Sequence, residues 1–470
     1  MNLGPVSFLD CAVFCFFLAP ALVWQAGLVA TVLCVLQCLP FLIITLPLQF
    51  LSDHLLAAPS RRSPFVRQAT LFEDLVVRCV RYAFANVPAK IGRIFFSREV
   101  ALPFLRWRML RHGYLRSPIH WREYRDRDFR GIWMIRDPTR QPDVVVFYIH
   151  GGGFAMGSSY FYLEFLLTWT SVLIGHGYRN PAIFALEYKL VPDACFPTQL
   201  QQTIQAYKHV LGVAKDPSIV TVSGDSAGGL LILSLLLAIG KGIMEEQEGR
   251  SLGGTDVRAA RSLPRPAFAV LISPWVTLLS ARRANTWSDY LDAEQIERYG
   301  VLYAGTKAAR NDPLLSPGSC TDVRWWKAAS PSKGFFITYG QEELFAADIH
   351  SLAERLRCSN VIVQNEVEAG GIHAWPVASV FLSSTRDKRV AGLRSIVERI
   401  RAAISEGKGK EAATKRACQF QPPRLPANGR ATILPSNGGS ARRQRSKVGD
   451  TARGERAGAG LARGDIAKDI

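Results

Sequence analysis

A serine set among glycines, in IVTVSGDSAGGLLILSLLLA (219–238), stands where a β-branched run gives way to a leucine-rich one. Ser226 lies between Asp225 and Ala227, with Gly224 and Gly228 one step further out. This is the G-x-S-x-G pattern of a nucleophile on a strand–turn–helix elbow. Glycines at the flanking positions let strand and helix approach at a cramped turn, which pushes the serine out of the backbone in a strained conformation. The Ala227 N–H then falls at a helix N-terminus, where it can face a developing oxyanion. A second glycine motif, YIHGGGFAMGS (148–158), closes another apolar run. Its consecutive Gly151, Gly152 and Gly153 allow the backbone to come close to a substrate carbonyl. Gly152 and Gly153 are the expected N–H donors, and His150 is expected to brace the loop through hydrogen bonds. No Lys-Ser/Thr and no G-x-G-x-x-G accompanies these glycines, so a phosphate cradle has no support. The chemistry that the two motifs imply together is acyl transfer through a serine.

Such residues need a scaffold that brings loop ends together. Short apolar runs recur at 131–136, 144–150, 181–190, 218–224, 268–275, 334–340 and 360–367, with helical stretches at 160–175, 198–213, 226–241, 348–358 and 386–405 between or after them. Alternating buried strands and helices predict an α/β fold, a mostly parallel sheet covered on both faces. Ligands bind such sheets at the carboxyl ends of the strands, where both glycine motifs fall. Residues 242–266 read as a long polar surface loop. The catalytic domain is expected over 131–405.

The flanks differ in character. The net charge of +18 is concentrated in 61–130, with 16 Lys/Arg against 6 Asp/Glu, and in 407–470, with 14 against 5. Basic flanks suit anionic membranes as well as nucleic acid, and the N-terminus favours the membrane. From Cys11 to Ser52 there is no charged residue over 42 positions, enough for two bilayer passes at about 20 residues each. Residues 1–60 are therefore expected to form a membrane anchor, as a single tilted span or as a hairpin broken near Pro20, Gln25 and Gly27. A cleaved signal peptide fits poorly, because the run is too long and no basic residue precedes it. Arg61, Arg62 and Arg67 just after the anchor put the main domain on the cytosolic side. Residues 61–130 should form a basic, helical juxtamembrane region. Residues 406–470, rich in Gly, Ala, Arg and Lys, are expected to be disordered. The cysteines are scattered without a C-x-x-C pair or histidines at ligand spacing, so no metal and no cofactor is expected.

HGGG some 70 residues ahead of GDSAGG resembles the hormone-sensitive-lipase branch of the α/β-hydrolases, which includes arylacetamide deacetylase and the fungal steryl acetyl hydrolases. EYKLVPDACFPTQLQQTIQAYKHVL (187–211), LISPW (271–275) and DPLLSP (312–317) are similar to further landmarks of that family. The resemblance covers roughly 130–400 and implies an acid and a histidine after the serine, in that order. Of the two later histidines, His350 lies in a helix-like stretch and His373 in the loop EAGGIHAWPV, as the family pattern requires. The acid should lie in GQEELFAADI (340–349), where Glu343 matches the family's usual Asp; Glu342 and Asp348 are the other candidates, and Asp312 is expected to cap a turn. The resemblance also implies that 68–118 supply part of a helical lid and that the membrane is that of the endoplasmic reticulum; the face of FLRWRML and IGRIFF either closes over an acyl or alcohol group or is plain helix packing.

The expected function is thus a membrane-anchored serine carboxylester hydrolase that removes short acyl groups from hydrophobic alcohols such as steryl acetates. The expected partners are a hydrophobic ester and a lipid bilayer. No nucleic-acid recognition motif is present, and nothing in the sequence sets the oligomeric state. The rival reading is a binding protein for a small hydrophobe on the same fold. It fits less well because serine and histidine are both retained.

Overall fold

A computed structural model describes residues 1–248, 259–306 and 308–419, with 247–248 and 405–419 described by backbone alone. The chain divides into two units, Met1–Gly407 and Lys408–Ile470.

Helix α1 (Phe8–Ala26) begins with a capping box in which Ser7 and Asp10 exchange hydrogen bonds, and it ends at Gly27, whose φ of +90° admits no ordinary side chain. Pro20 lies inside α1 without ending it. A single helical run, Leu28–Leu56, follows; it contains α2 (Leu28–Pro40) and α3 (Leu46–Leu51). Both helices are long and apolar enough to cross a membrane, and few of their side chains are buried. Next come α4 (Pro64–Gln68), α5 (Leu71–Asn86), α6 (Ala89–Phe95) and α7 (Arg98–Arg111). The helical texture expected for 68–118 is present.

The sheet has the order β1-β2-β4-β3-β5-β6-β7-β8, with β1 (His120–Arg125), β2 (Arg130–Ile135), β3 (Val144–Ile149), β4 (Pro181–Glu187), β5 (Val220–Asp225), β6 (Phe268–Ile272), β7 (Phe335–Gly340) and β8 (Val363–Glu368). Strand β2 pairs antiparallel with β1 and β4, and every other pairing is parallel. β1, HWREYR, escapes a search for apolar runs because it is an edge strand whose side chains are exposed or half-buried.

Two-residue periodicity divides the interior strands between two cores. Val145, Phe147 and Ile149 join one cluster, while Val144, Val146 and Tyr148 join the other. The first is covered by α9 (Thr198–Ala214), α10 (Ala227–Glu248), α12 (Val323–Ala329) and α13 (Ala346–Cys358); the second by α8 (Leu163–Gly175) and α15 (Arg386–Gln419). Helices α11 (Ala293–Ala304) and α14 (Trp375–Leu382) complete the set. α10 is as apolar as a membrane span, yet it is almost wholly buried in the protein.

Two expected boundaries move. Residues 242–248 extend α10 instead of opening a loop; Glu245 pairs with Arg261 there, and 249–258 lie outside the described residues. The final helix runs to Gln419, beyond the expected boundary at 406, and 420–470 lie outside the described residues.

Candidate active site

Ser226 occupies the turn between β5 and α10 with φ of +52°, the left-handed region that a side-chain-bearing residue enters only under constraint. Its N–H donates to Ile272 O at 3.0 Å, and its carbonyl accepts from Trp275 N at 2.9 Å, so the end of β6 holds the turn in place. The elbow needs glycine at 228 for space: a Cβ there would lie 2.0 Å from Ile149 O. This close approach brings the HGGG loop, which follows β3, against the start of α10.

The loop is fixed to the elbow by Asp225. Its carboxylate accepts from Gly151 N at 2.9 Å, Tyr148 OH at 2.5 Å and Tyr162 OH at 2.7 Å. Burial pushes this carboxyl's pKa up, against the lowering effect of these donors and of the nearby His373 charge. Gly152 has φ of +108°, and a Cβ there would meet Met156 O at 2.2 Å. The turn's own bonds run from Ala155 and Met156 N–H to Gly152 O. His150 is stacked on Tyr188 at 4.5 Å, with Nδ1 2.8 Å from Gly151 O. Burial lowers its pKa to about 4, so the ring is neutral where it packs on Tyr188.

His373 lies in the loop after β8 and is buried. Its Nδ1 stands 3.7 Å from Glu343 Oε1, longer than a hydrogen bond; apo sites commonly show such distances, which tighten on substrate binding. Glu343, also buried, accepts through Oε2 from Ser273 Oγ at 2.5 Å and Gly340 N at 2.9 Å. Burial pushes the Glu343 pKa up, opposed by His373 and Ser273. For His373, burial favours the neutral ring, but Glu343, Asp289 and Asp225 outweigh it, and the pKa lies above the usual 6.5. The other acid candidates stand apart. Asp348 accepts from Ser280 Oγ at 2.9 Å and faces Arg283 at 3.4 Å. Glu342 is half-buried and uses its carbonyl to accept from Thr286 Oγ1. His350 is exposed on α13, and Asp312 accepts from Leu314 N in a turn, as expected.

Residues 273 and 289 are absent from the sequence-based site. Ser273, the residue after β6 with φ of +43°, donates to Glu343 and accepts from Ala374 N at 2.9 Å. It thereby joins the acid to the histidine loop, and its only sequence signal is its place in LISPW. The lid expectation divides. Within IGRIFF, Arg93 of α6 donates to Ala155 O at 2.9 Å, to Val191 O and to Asp193, so α6 sits against the glycine loop. FLRWRML in α7 does not: Trp107 donates to Asp10, while Leu105 and Met109 pack in the α8–α15 core, because Arg108 draws that helix toward Asp10 and Glu164.

The site thus gathers the ends of β3, β5, β6, β7 and β8. Residues 146–377 match the family model for the alpha/beta hydrolase fold. The fold is that of the α/β-hydrolases, and the chain is similar to members of their hormone-sensitive-lipase-like branch. Its enzyme class is that of the carboxylic ester hydrolases. An acetyl-hydrolase of Streptomyces hygroscopicus is 28% identical over 244 residues, 51% of this chain and 70% of that protein. Steryl acetyl hydrolase 1 of Saccharomyces cerevisiae is 24% identical over 289 residues, 56% of this chain and 60% of that protein. The crystal structure of an esterase from the bacterial hormone-sensitive lipase family aligns with a TM-score of 0.53 at 23% identity, over 71% of this chain and 99% of that one, a likeness of fold.

Proposed function

We propose that this α/β-hydrolase is a membrane-anchored serine carboxylester hydrolase that removes short acyl groups from hydrophobic alcohols through an acyl-enzyme. The observation that carries this reading is the strained Ser226 elbow, flanked by the Asp225-held glycine loop and by the Ser273 link between Glu343 and the His373 loop. The Ser226 oxygen attacks the ester carbonyl as Nε2 of His373 takes its proton. Glu343 receives the Nδ1–H and stabilises the imidazolium. The N–H groups of Gly152, Gly153 and Ala227 receive the oxyanion, each lost donor costing about 3 kcal/mol of transition-state stabilisation. Collapse breaks the bond to the alcohol, which leaves with the His373 proton. Water then gives its proton to the same imidazole, attacks the acyl carbon, and Ser226 departs protonated. These side chains handle every proton, so no cofactor is implied.

An aromatic cluster packs within the buried core beside the glycine loop. Phe154 stacks on Tyr303 at 3.7 Å and lies near Trp275, and Tyr299, against Gly153, meets Phe84 of α5 edge-on. The activity in the yeast relative's name, steryl acetyl hydrolysis, makes steryl acetates the first esters to test.

Membrane attachment through residues 1–60 is supported by outward apolar side chains such as Trp24, Val29 and Leu56. The hairpin geometry is favoured over a single span. Met1 and Leu3 belong to the same core as α8 and α15, and buried Asp10 pairs with Arg108 at 3.1 Å and Arg111 at 2.9 Å. The start of α1 therefore lies on the same side as the catalytic domain. Arg61, Arg62 and Arg67 make that side cytosolic, and the endoplasmic reticulum is the membrane that the family resemblance suggests.

The test is covalent labelling of the purified full chain with a fluorophosphonate probe, together with hydrolysis of p-nitrophenyl acetate and cholesteryl acetate in mixed micelles. Labelling at Ser226 and its loss, with all turnover, in a folded Ser226→Ala are expected. Turnover retained by Ser226→Ala refutes the nucleophile, and a folded wild-type chain that neither labels nor turns over is the hydrophobe-binding rival.

A further inference from the structure

Between β6 and α11 the chain passes through Thr286–Trp287–Ser288–Asp289–Tyr290, a segment that the hydrolytic steps above do not use. Asp289 is fully buried. One carboxylate oxygen accepts from His373 N at 3.0 Å and Tyr290 N at 2.9 Å, and the other accepts from Leu344 N at 2.8 Å. The single carboxylate therefore holds the main chain of the residue read as the base and of the residue following the one read as the acid. Thr286 strengthens the same link: its hydroxyl donates to Glu342 O at 2.8 Å and accepts from Asp289 N at 3.0 Å. The segment is in turn held by the covering helix α5, where Arg81 donates to Asp289 O at 2.6 Å and Trp287 O at 2.7 Å.

A buried carboxylate whose side-chain partners are main-chain N–H groups is a costly way to close a turn. An amide of the same shape would avoid the charge but has only one acceptor oxygen. With that oxygen kept on His373 and Tyr290, the NH2 group would oppose the Leu344 N–H. Only the carboxylate serves both loops.

We propose that Asp289 is a positioning residue for ester hydrolysis: its two oxygens set the His373 and Glu343 loops relative to each other, and Arg81 of α5 holds it there. The inference rests on the reading of Ser226, Glu343 and His373 given above. It also makes the covering helix part of what aligns the imidazole, since α5 reaches His373 through a single residue.

The experiment compares Asp289→Asn, Asp289→Ala and Arg81→Met with wild type in the full-length protein. The readouts are p-nitrophenyl acetate turnover per site titrated by the fluorophosphonate probe, and its pH profile. The charged or titratable groups around the imidazole are the carboxylates of Glu343, Asp289 and Asp225 and the ring of Tyr290. Misplacement of a reacting group by about 1 Å costs on the order of 100-fold, so kcat per titrated site should fall by about 10- to 100-fold in both Asp289 variants, with little change in KM. Their acid limb should also move to lower pH, because a carboxylate that favours the imidazolium is gone. Arg81→Met should lower kcat less and leave the limb in place, since its cation contacts carbonyls two bonds of structure away from the ring. Unchanged turnover per titrated site in a folded Asp289 variant overturns the proposal, as does a loss of turnover with an unmoved acid limb, which marks a purely structural role. If Asp289→Ala does not fold, Asp289→Asn and Arg81→Met decide the matter. Retained turnover in Ser226→Ala, run in parallel, would instead bring down the site reading itself.

Discussion

Replacing Glu343 by glutamine tests the acid and the tautomer of His373 together. In the wild type, Oε2 of Glu343 accepts from Ser273 Oγ and Gly340 N, and Oε1 faces Nδ1 of His373 at 3.7 Å. Ser273 itself accepts from Ala374 N, so its own proton is directed at Glu343. A glutamine must keep its single oxygen toward these two donors, which turns its NH2 toward His373. Nδ1 must then accept, the ring proton moves to Nε2, and Nε2 can no longer take a proton from Ser226. The wrong tautomer costs about 10³- to 10⁴-fold in kcat, or about 4–5.5 kcal/mol of activation free energy. The assay is initial-rate hydrolysis of p-nitrophenyl acetate, corrected for folded protein by circular dichroism, with Asp348→Asn alongside. Asp348 is engaged by Ser280 and Arg283, so its variant should stay within about 3-fold of wild type, as for a group outside the proton relay. Turnover of Glu343→Gln within tenfold of wild type, or a larger loss in Asp348→Asn, refutes the assignment of the acid.

Three further outcomes are expected. The base must be neutral to accept the serine proton, and the carboxylates around His373 raise its pKa above 6.5, so kcat/KM should fall as pH drops through a limb above that value; a profile flat to pH 5 contradicts it. Gly151→Ala puts a Cβ 2.3 Å from Asp225 Oδ2 and 3.0 Å from Ser226 Cβ, so the loop must move off the oxyanion site, and kcat should drop by about 100-fold in a chain whose circular dichroism is unchanged. Arg108→Met leaves Asp10 without its fully buried partner and Glu164 with Arg389 alone, which should cost about 3–5 kcal/mol, read as a lower melting temperature in detergent; an unaltered melting temperature removes the clamp at the start of α1.

The elements that carry the site were legible because their signals are local. Buried parallel strands read as continuous apolar runs, and the two glycine motifs mark turns where a Cβ would strike backbone, as at Gly228 and Gly152. The edge strand β1 was missed because half-exposed strands carry charge, and the extension of α10 past 241 was missed because its support comes from Arg261, a residue outside the helix. Composition alone could not separate α10 from the N-terminal helices. All are apolar and long enough to span a bilayer, and only packing shows that α10 is buried while α1 and the 28–56 run present their side chains outward.

The same division runs through the site. Sequence by itself determined the fold class and the two glycine-rich turns, which depend on residue type and near neighbours, whereas the preference for His373 over His350 rested on the family resemblance. Only the tertiary structure decided that Glu343 rather than Asp348 faces the imidazole, that Ser273 and Asp289 tie the loops together, and that the start of α1 is clamped to the catalytic domain. Those facts concern side chains separated by tens to hundreds of residues, as with Asp289 and His373. Their partnership exists only once the sheet has brought its strand ends side by side.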